Sequence, residues 1–175
     1  MDTITKKSKA RTGSTIAGIL ALVWMCVIFA FSAQTKEESS VVSQGFSYRI
    51  VNTTGLLLHL HIDEEQLREI ANAIEGFVRK GAHMTEYAIL AILVYIWLGR
   101  WRLSRRRMAC TAAVLTILYA CSDEVHQLFV AGRAGRISDV LVDSVGAVLG
   151  LALFLFLKMC VYKIVGNRKE LRVNS

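Results

Sequence analysis

The chain has 175 residues, a net charge of +7, 54% hydrophobic residues and no proline, which leaves room for one modest domain made mostly of helices. The basic balance does not indicate nucleic acid, because long apolar stretches divide the lysines and arginines into separate short runs. Such runs are typical of the loop charges that orient a membrane protein. The four cysteines have no CxxC spacing, so the pattern indicates neither a zinc site nor a disulfide framework.

The first predicted transmembrane segment covers residues 14–33 and contains no charged residue. About 20 apolar residues are enough to cross roughly 30 Å of hydrocarbon. Several basic residues precede this segment, so a cleaved secretory signal peptide is the alternative interpretation. We favour an uncleaved helix, because the apolar core of a signal peptide is usually only about 7–15 residues long.

Residues 35–80 form the predicted connection to the second span, and their later half has the pattern of an amphipathic helix. Asp63 and Gln66 have the spacing of a capping box, and Glu64 and Glu65 suit the positive end of a helix dipole. We expect this helix to pack on top of the bundle or to lie among lipid headgroups, with a lid over a site as the alternative. Apolar residues follow the helical period at Leu67, Ile70, Ala71, Ile74, Phe77 and Val78.

Three further spans are predicted at residues 81–99, 108–130 and 137–157. Each has a short apolar core, so the polar residues at one end must lie at the membrane interface or face protein. The predicted fold is therefore all-α and polytopic. It has four transmembrane helices and an extracytoplasmic amphipathic helix between spans one and two, in a single domain covering residues 1–175.

The lysines and arginines outside the spans predict the orientation in the membrane. Most of them lie in the N-terminal tail, the loop after span two and the C-terminal tail, which share one side. By the positive-inside rule, both termini face the cytoplasm of a plasma membrane. The residues concerned are Lys6, Lys7, Lys9, Arg11, Arg100, Arg102, Arg105, Arg106, Arg107, Lys158, Lys163, Arg168, Lys169 and Arg172.

Three predicted helices bring ionisable side chains to the outer face of the membrane. Charged groups close to hydrocarbon are costly unless they are paired or hydrated, so these residues are functional candidates. His83 and Glu86 are three residues apart on one helix face and could act as a general acid and base near neutral pH. The candidates are Lys80, His83 and Glu86, then Asp123, Glu124, His126 and Gln127, then Arg133 and Arg136, and finally Asp139 and Asp143.

Span four places two carboxylates above a pair of glycines on the same helix face. Asp139, Asp143, Gly146 and Gly150 follow steps of four, three and four residues. Gly146 and Gly150 form a GxxxG motif, which permits close contact between helices. The purely structural interpretation is a close contact between helices, with these acids at its end paired to Arg133 or Arg136.

Together, the segments RKGAHMTEY and SDEVHQLFVAGRAGRISDVLVDSVGAVLG resemble the VanZ-like family, as does Phe31-Ser32-Ala33-Gln34 at the end of span one. The resemblance covers nearly the whole chain and implies a small helical membrane protein. The family is named for a protein linked to low-level resistance to the glycopeptide teicoplanin. Relatives often have asparagine at the position of Asp143. The family pattern maps onto Lys80, His83, Glu86, Tyr87, Asp123, Glu124, Gln127, Arg133, Asp139, Asp143 and Gly146.

The leading hypothesis is that the chain binds or modifies a lipid or cell-wall-related ligand at the outer leaflet. A divalent metal bound by Asp and Glu oxygens is a candidate cofactor, and His83 would favour a softer ion. The main alternative is a non-catalytic envelope accessory protein. An ion-coupled transporter is less favoured, because the middle of each span is apolar. The candidate catalytic residues are His83, Glu86, Asp123, Glu124 and Asp139, and the candidate ligand-binding residues are Lys80, Tyr87, Gln127, Arg133 and Asp143.

Overall fold

The computed structural model describes the backbone of residues 2–101 and 103–173, and the side chains of residues 8, 11–101 and 103–165. Four helices in this part contain segments long and apolar enough to cross a membrane: Arg11–Ser32, Glu64–Leu98, Arg105–Gln127 and Ile137–Val165. The chain is therefore an all-α, multi-pass membrane protein. The described backbone forms five helices and no strand: α1 (Asp2–Ser32), α2 (Lys36–Leu57), α3 (Glu64–Leu98), α4 (Arg105–Gln127) and α5 (Ile137–Val173).

Helix α3 is the centre of the bundle and contacts each of the other four helices. Its second half buries an apolar face, while many large apolar side chains of α1 and α5 are exposed. Exposed apolar surface of this extent suits helices whose outer faces meet lipid instead of water. The buried apolar face of α3 consists of Tyr87, Leu90, Ala91, Val94, Tyr95 and Leu98.

The seam between α3 and α5 is close because glycine lines one side of it. A Cβ atom on Gly146 would collide with the backbone of Met84, and one on Gly150 would collide with Ala88. The close helix contact predicted from the GxxxG motif is therefore present, and α3 is the partner helix. This seam fixes the height of the first turns of α5 against the middle of α3.

The connection between the first two spans differs from its prediction. Residues 36–57 form α2, a helix that was not predicted. Helix α3 begins at Glu64 and continues without a break to Leu98, so the segment predicted as a separate amphipathic helix is the first part of the span-two helix. The predicted capping box is confirmed, since Asp63 and Gln66 each accept a hydrogen bond from the backbone N–H of the other.

Helix α2 packs against the first half of α3 through a face of small residues. Val51 meets Leu67 and Ala71 in an apolar cluster. A second capping box begins α2, where hydrogen bonds from the backbone and side chain of Thr35 lower the pKa of Glu38. The buried positions of α2 recur every four residues, at Ser43, Ser47, Val51 and Gly55.

Many of the basic residues used to predict orientation lie in the terminal segments. Their positions in the sequence support the orientation, which stays a prediction. The side chains that lie outside the described residues are Lys6, Lys7, Lys9, Arg102, Arg168, Lys169 and Arg172.

Candidate functional site

Ionisable side chains from α3, α4, α5 and the α4–α5 loop gather where these elements meet the end of α1. Several are buried, including Asp123, Glu124 and Asp143. Burying several carboxylates together is costly unless they find partners, water or a ligand. We call this group the polar cluster. Each member lies close enough to at least one other member for their charges or dipoles to interact. The members are His83, Glu86, Tyr87, Asp123, Glu124, Arg133, Asp139 and Asp143.

His83 and Glu86 form a close pair on the inner side of α3. The His83 Nδ1 atom lies 3.4 Å from the Glu86 Oε2 atom, and only 23% and 18% of the two side chains are exposed. The contact lacks hydrogen-bond geometry, so Glu86 Oε2 is buried without a hydrogen-bond partner. The indole N–H of Trp24 donates to the backbone carbonyl of Glu86 at 2.9 Å and ties α1 to α3 at this level. The pair can therefore accept or donate a proton toward a bound group.

Two members of the polar cluster hold the ends of the helices together. The Nε of Arg133 donates to the carbonyl of Gln34 at 3.0 Å, and its Nη2 donates to the carbonyl of Phe31 at 3.4 Å. The Glu124 Oε2 atom accepts the backbone N–H of Arg136 at 2.8 Å. These contacts bind carbonyls at the end of α1 and fix the α4–α5 loop. Among the described residues, no carboxylate forms an ion pair with Arg133 or Arg136, contrary to the structural interpretation of the acidic seam.

Other polar atoms of the cluster are buried without a partner. The Nε2 of Gln127 donates to Asp123 Oδ2 at 3.4 Å, but Asp123 Oδ1 has no hydrogen bond. The hydroxyl of Tyr87 also has no partner within hydrogen-bond geometry, although the residue is fully buried and Asp123 lies close to it. His126 instead stacks on Phe29, with ring centroids 4.3 Å apart. Unpartnered buried groups usually meet water or a ligand, so Asp123 and Tyr87 are open to such contacts.

Two adjoining cavities open beside the polar cluster. The first, which we call the groove, has a volume of about 480 Å³ and lies between the end of α1, α2 and α3. The second, the basic pocket, has a volume of about 150 Å³ and lies beneath the α4–α5 loop. Both are lined by Ser39, Arg79 and Arg133, so the two cavities adjoin at these side chains. His83 and Glu86 face the groove, while Gln127 and Asp139 line the basic pocket.

The structure places two predicted residues, Lys80 and His126, outside this arrangement and adds one that was missed. Lys80 is exposed and lines neither cavity, whereas Arg79 lines both. Arg79, His83 and Glu86 follow steps of four and three residues, so they lie on one face of α3. A step of seven residues back from Glu86 leads to Arg79, and this spacing could have identified it.

Among the described residues, the structure provides no complete set of ligands for the candidate metal cofactor. Within the described ranges, no three His, Cys, Asp or Glu side chains form a group that could hold a metal ion. His83 and Glu86 provide a pair of possible ligands, and the buried carboxylates of the cluster do not complete it into such a group. The metal therefore stays a prediction from residue types alone.

Comparison with known proteins gives one match. A family model described as VanZ/LLP1 matches residues 17–158. No curated protein and no solved structure matches the chain. The matched segment extends from α1 into α5 and contains the whole polar cluster, the groove and the basic pocket.

Proposed function

The chain belongs to the VanZ/LLP1 family, and from this premise we propose that it is a cell-envelope protein that binds a lipid or cell-wall-related ligand at the outer leaflet of the plasma membrane. The polar cluster is the proposed binding site. The observation that carries the proposal is the Glu86 carboxylate, which lines the groove and has a buried oxygen without a hydrogen-bond partner. Such atoms cost free energy unless a bound group or water satisfies them.

Within this proposal the cluster residues have two kinds of role. Glu124 and Arg133 are positioning residues, because their hydrogen bonds go to the backbone of the loop and of α1. His83 and Glu86 face the groove and contact the ligand. If the ligand is modified as well as bound, this pair supplies the proton transfer.

The direct test is binding of a fluorescently labelled, lipid-linked cell-wall precursor to the purified protein. We expect saturable binding by the wild type and at least tenfold weaker binding by His83→Ala, with thermal unfolding unchanged. Thin-layer chromatography of the same mixtures shows whether the precursor is altered. Equal, weak retention by wild type and His83→Ala across precursors would refute the proposed site.

A non-catalytic accessory role is the second candidate, and the contacts of Arg133 and Glu124 favour it. The Arg133 side chain connects the α4–α5 loop to the end of α1, and the Glu124 side chain connects the same loop to α4. If the cluster serves only to hold the helices in register, His83→Ala will lower thermal stability as much as function. A link to teicoplanin tolerance belongs to either version and is tested by growth of cells that express the chain in the presence of teicoplanin.

The outer-leaflet placement depends on the predicted orientation, which labelling of intact cells can measure. Glu65 and Arg105 are both exposed and lie in the first turns of α3 and α4. In a background without the four native cysteines, we expect a membrane-impermeant maleimide to label Glu65→Cys in intact cells. We expect Arg105→Cys to react only after the cells are permeabilised. The reverse pattern would move the site to the cytoplasmic leaflet.

A further inference from the structure

We propose that the ligand of this site is a lipid phosphate, whose phosphate group lies in the basic pocket and whose apolar chain lies in the groove. This inference rests on the proposed function and deepens it by naming the class of ligand. It requires an apolar channel that opens to lipid, a cationic end to that channel, and cations that the protein does not neutralise itself.

The groove supplies the apolar channel. Its walls include Phe31, Val42 and Phe46, which are all exposed in the isolated protein. Its volume of about 480 Å³ lies within the roughly 300–1,000 Å³ that is common for small-molecule sites. Exposed apolar walls suit a hydrocarbon chain that enters from the bilayer.

The basic pocket supplies the cationic end. Lys36, Arg79, Arg133 and Arg136 line it, and Asp139 is the single carboxylate among its lining residues. Because Arg79 and Arg133 line both cavities, the cations begin where the apolar channel ends. A ligand with an apolar chain and an anionic headgroup matches this change from an apolar lining in the groove to a cationic lining in the basic pocket.

The cations of the basic pocket are only partly neutralised within the described chain. Arg79 pairs with Glu75 at 3.2 Å, but Arg133 directs its donors to two backbone carbonyls and to the amide oxygen of Gln127. Partial burial and the nearby Arg79 guanidinium lower the pKa of Arg133. An arginine keeps its charge at any physiological pH, so the repulsion between the two guanidinium groups persists until an anion enters.

A phosphate fits this pocket better than a carboxylate. It offers several acceptor oxygens in a tetrahedral arrangement, and arginine side chains bind such groups through paired, charge-assisted hydrogen bonds. Four cationic side chains can approach different oxygens of one phosphate, whereas a carboxylate has only two oxygens. The carboxylate of a fatty acid is therefore the weaker alternative, and the experiment includes it.

Tryptophan fluorescence can detect a chain in the groove, because Trp24 lines it. The chain has three tryptophans, so Trp97→Phe/Trp101→Phe leaves Trp24 as the reporter. The matched control, Trp24→Phe/Trp101→Phe, leaves Trp97, which lines a separate cavity of about 380 Å³ between α1, α3 and α4. Each protein is reconstituted in phosphatidylcholine vesicles that contain increasing fractions of lipids with brominated acyl chains, which quench a tryptophan on contact.

We expect brominated phosphatidic acid to quench Trp24 at a mole fraction about tenfold lower than brominated phosphatidylcholine or brominated fatty acid. Trp97 should respond equally to all three lipids. Inorganic phosphate, added at the same concentration as the phosphatidic acid, should not displace the lipid, because it lacks the apolar chain. Full displacement by inorganic phosphate would overturn the assignment of a lipid.

The variants Lys36→Gln and Arg79→Gln should each weaken the preference for phosphatidic acid by about tenfold, a change of roughly 1.4 kcal/mol. Arg68→Gln is the matched control, because Arg68 also pairs with a glutamate four residues earlier on α3 but is exposed and lines neither cavity. Lys36 forms no hydrogen bond or ion pair among the described residues, so its loss does not threaten folding.

The outcomes separate this inference from the proposed function. Quenching of Trp24 by all brominated lipids at the same mole fraction would overturn the phosphate inference while leaving a lipid-binding groove. A preference for phosphatidic acid that His83→Ala leaves intact, together with normal precursor binding by that variant, would support the basic pocket and refute the role of the polar cluster. Loss of the preference in Arg68→Gln as well would show a general charge effect and overturn the inference.

Discussion

Replacing Gly146 by alanine is expected to destabilise the protein by about 1–3 kcal/mol, the usual cost of overpacking a close contact. The added methyl group would collide with the backbone of Met84, which cannot move aside as a flexible side chain can. Gly76→Ala is the matched control, because Gly76 is also helical and has open space around its Cβ position. That variant should be more stable by roughly 0.5–1 kcal/mol, since glycine weakens a helix. Denaturant unfolding of the purified protein, followed by circular dichroism, measures both.

The neighbouring glycine allows a compensating test of the same seam. Gly150→Ala is expected to collide with the Cβ atom of Ala88, and Ala88→Gly removes that atom. The double variant should therefore recover part of the stability that Gly150→Ala loses, because the contact with the Ala88 Cα atom at 2.9 Å remains, and this gives a favourable coupling between the two sites. Additive losses in the double variant would contradict direct contact between these positions. Identical behaviour of Gly146→Ala and Gly76→Ala would contradict the close seam itself.

The seam matters for function because it sets the position of the acids on α5. Asp143 lies one turn before Gly146, is buried, and is within electrostatic reach of His83 on α3. A shift of α5 away from α3 would separate these groups. Gly146→Ala should therefore weaken ligand binding as well as stability, whereas Gly76→Ala should leave binding unchanged.

The sequence was sufficient to predict the four apolar spans, and helical spacing identified the GxxxG face of α5. It did not reveal α2, and the reason is physical. The buried face of this helix is built at four-residue intervals largely from serine and glycine, so it has little hydrophobic periodicity to detect. Its buried residues are Ser43, Ser47, Val51 and Gly55.

The continuity of α3 was also missed. The second span was predicted to begin at residue 81, yet Gly76 and Gly81 are both inside one helix. Tertiary packing of α2 against the first half of α3 accounts for this, because contacts outweigh the weak helix propensity of two glycines. Lys80 was predicted as a candidate residue, whereas Arg79, which lies on the face of His83 and Glu86, was not.

The cluster on α4 and α5 was predicted as a set, but the separate roles of its members depend on contacts that no spacing shows. Arg133 was predicted to bind a ligand or to pair with a carboxylate, whereas its hydrogen bonds go to the end of α1 and to Gln127. Asp123 and Glu124 are adjacent in the sequence, and both are buried. Only Glu124 is tied to the loop backbone, and only Asp123 keeps an unpartnered oxygen.

Substitutions of Tyr87 and Tyr119 can distinguish a side chain that contributes to ligand binding from one that contributes to stability. Tyr87 and Tyr119 lie on facing helices, with ring centroids 6.2 Å apart. The hydroxyl of Tyr119 donates to the backbone carbonyl of Met25 at 2.7 Å, whereas the hydroxyl of Tyr87 is buried without a partner. Removal of each hydroxyl by replacement with phenylalanine should therefore have opposite consequences.

Tyr119→Phe is expected to lower the free energy of unfolding by about 1 kcal/mol, because it removes a hydrogen bond and leaves the Met25 carbonyl with one partner fewer. Ligand binding by this variant should stay normal. Tyr87→Phe should leave stability unchanged or raise it, because a buried hydroxyl without a partner only costs free energy. Its binding of the labelled precursor should fall about tenfold, since we propose that a polar group of the ligand reaches past Glu86 to that hydroxyl, although Tyr87 itself lines neither cavity.

Binding and unfolding measured on the same preparations of both variants check this contrast. Tyr87→Phe that binds as the wild type does would remove Tyr87 from the contact surface, and the polar cluster would then lose its deepest proposed ligand contact. Tyr87→Phe that unfolds more easily would show that its hydroxyl already has a partner within the protein, such as Asp123 or an enclosed water. Loss of binding with stability retained is the one combination that requires the Tyr87 hydroxyl to meet the ligand.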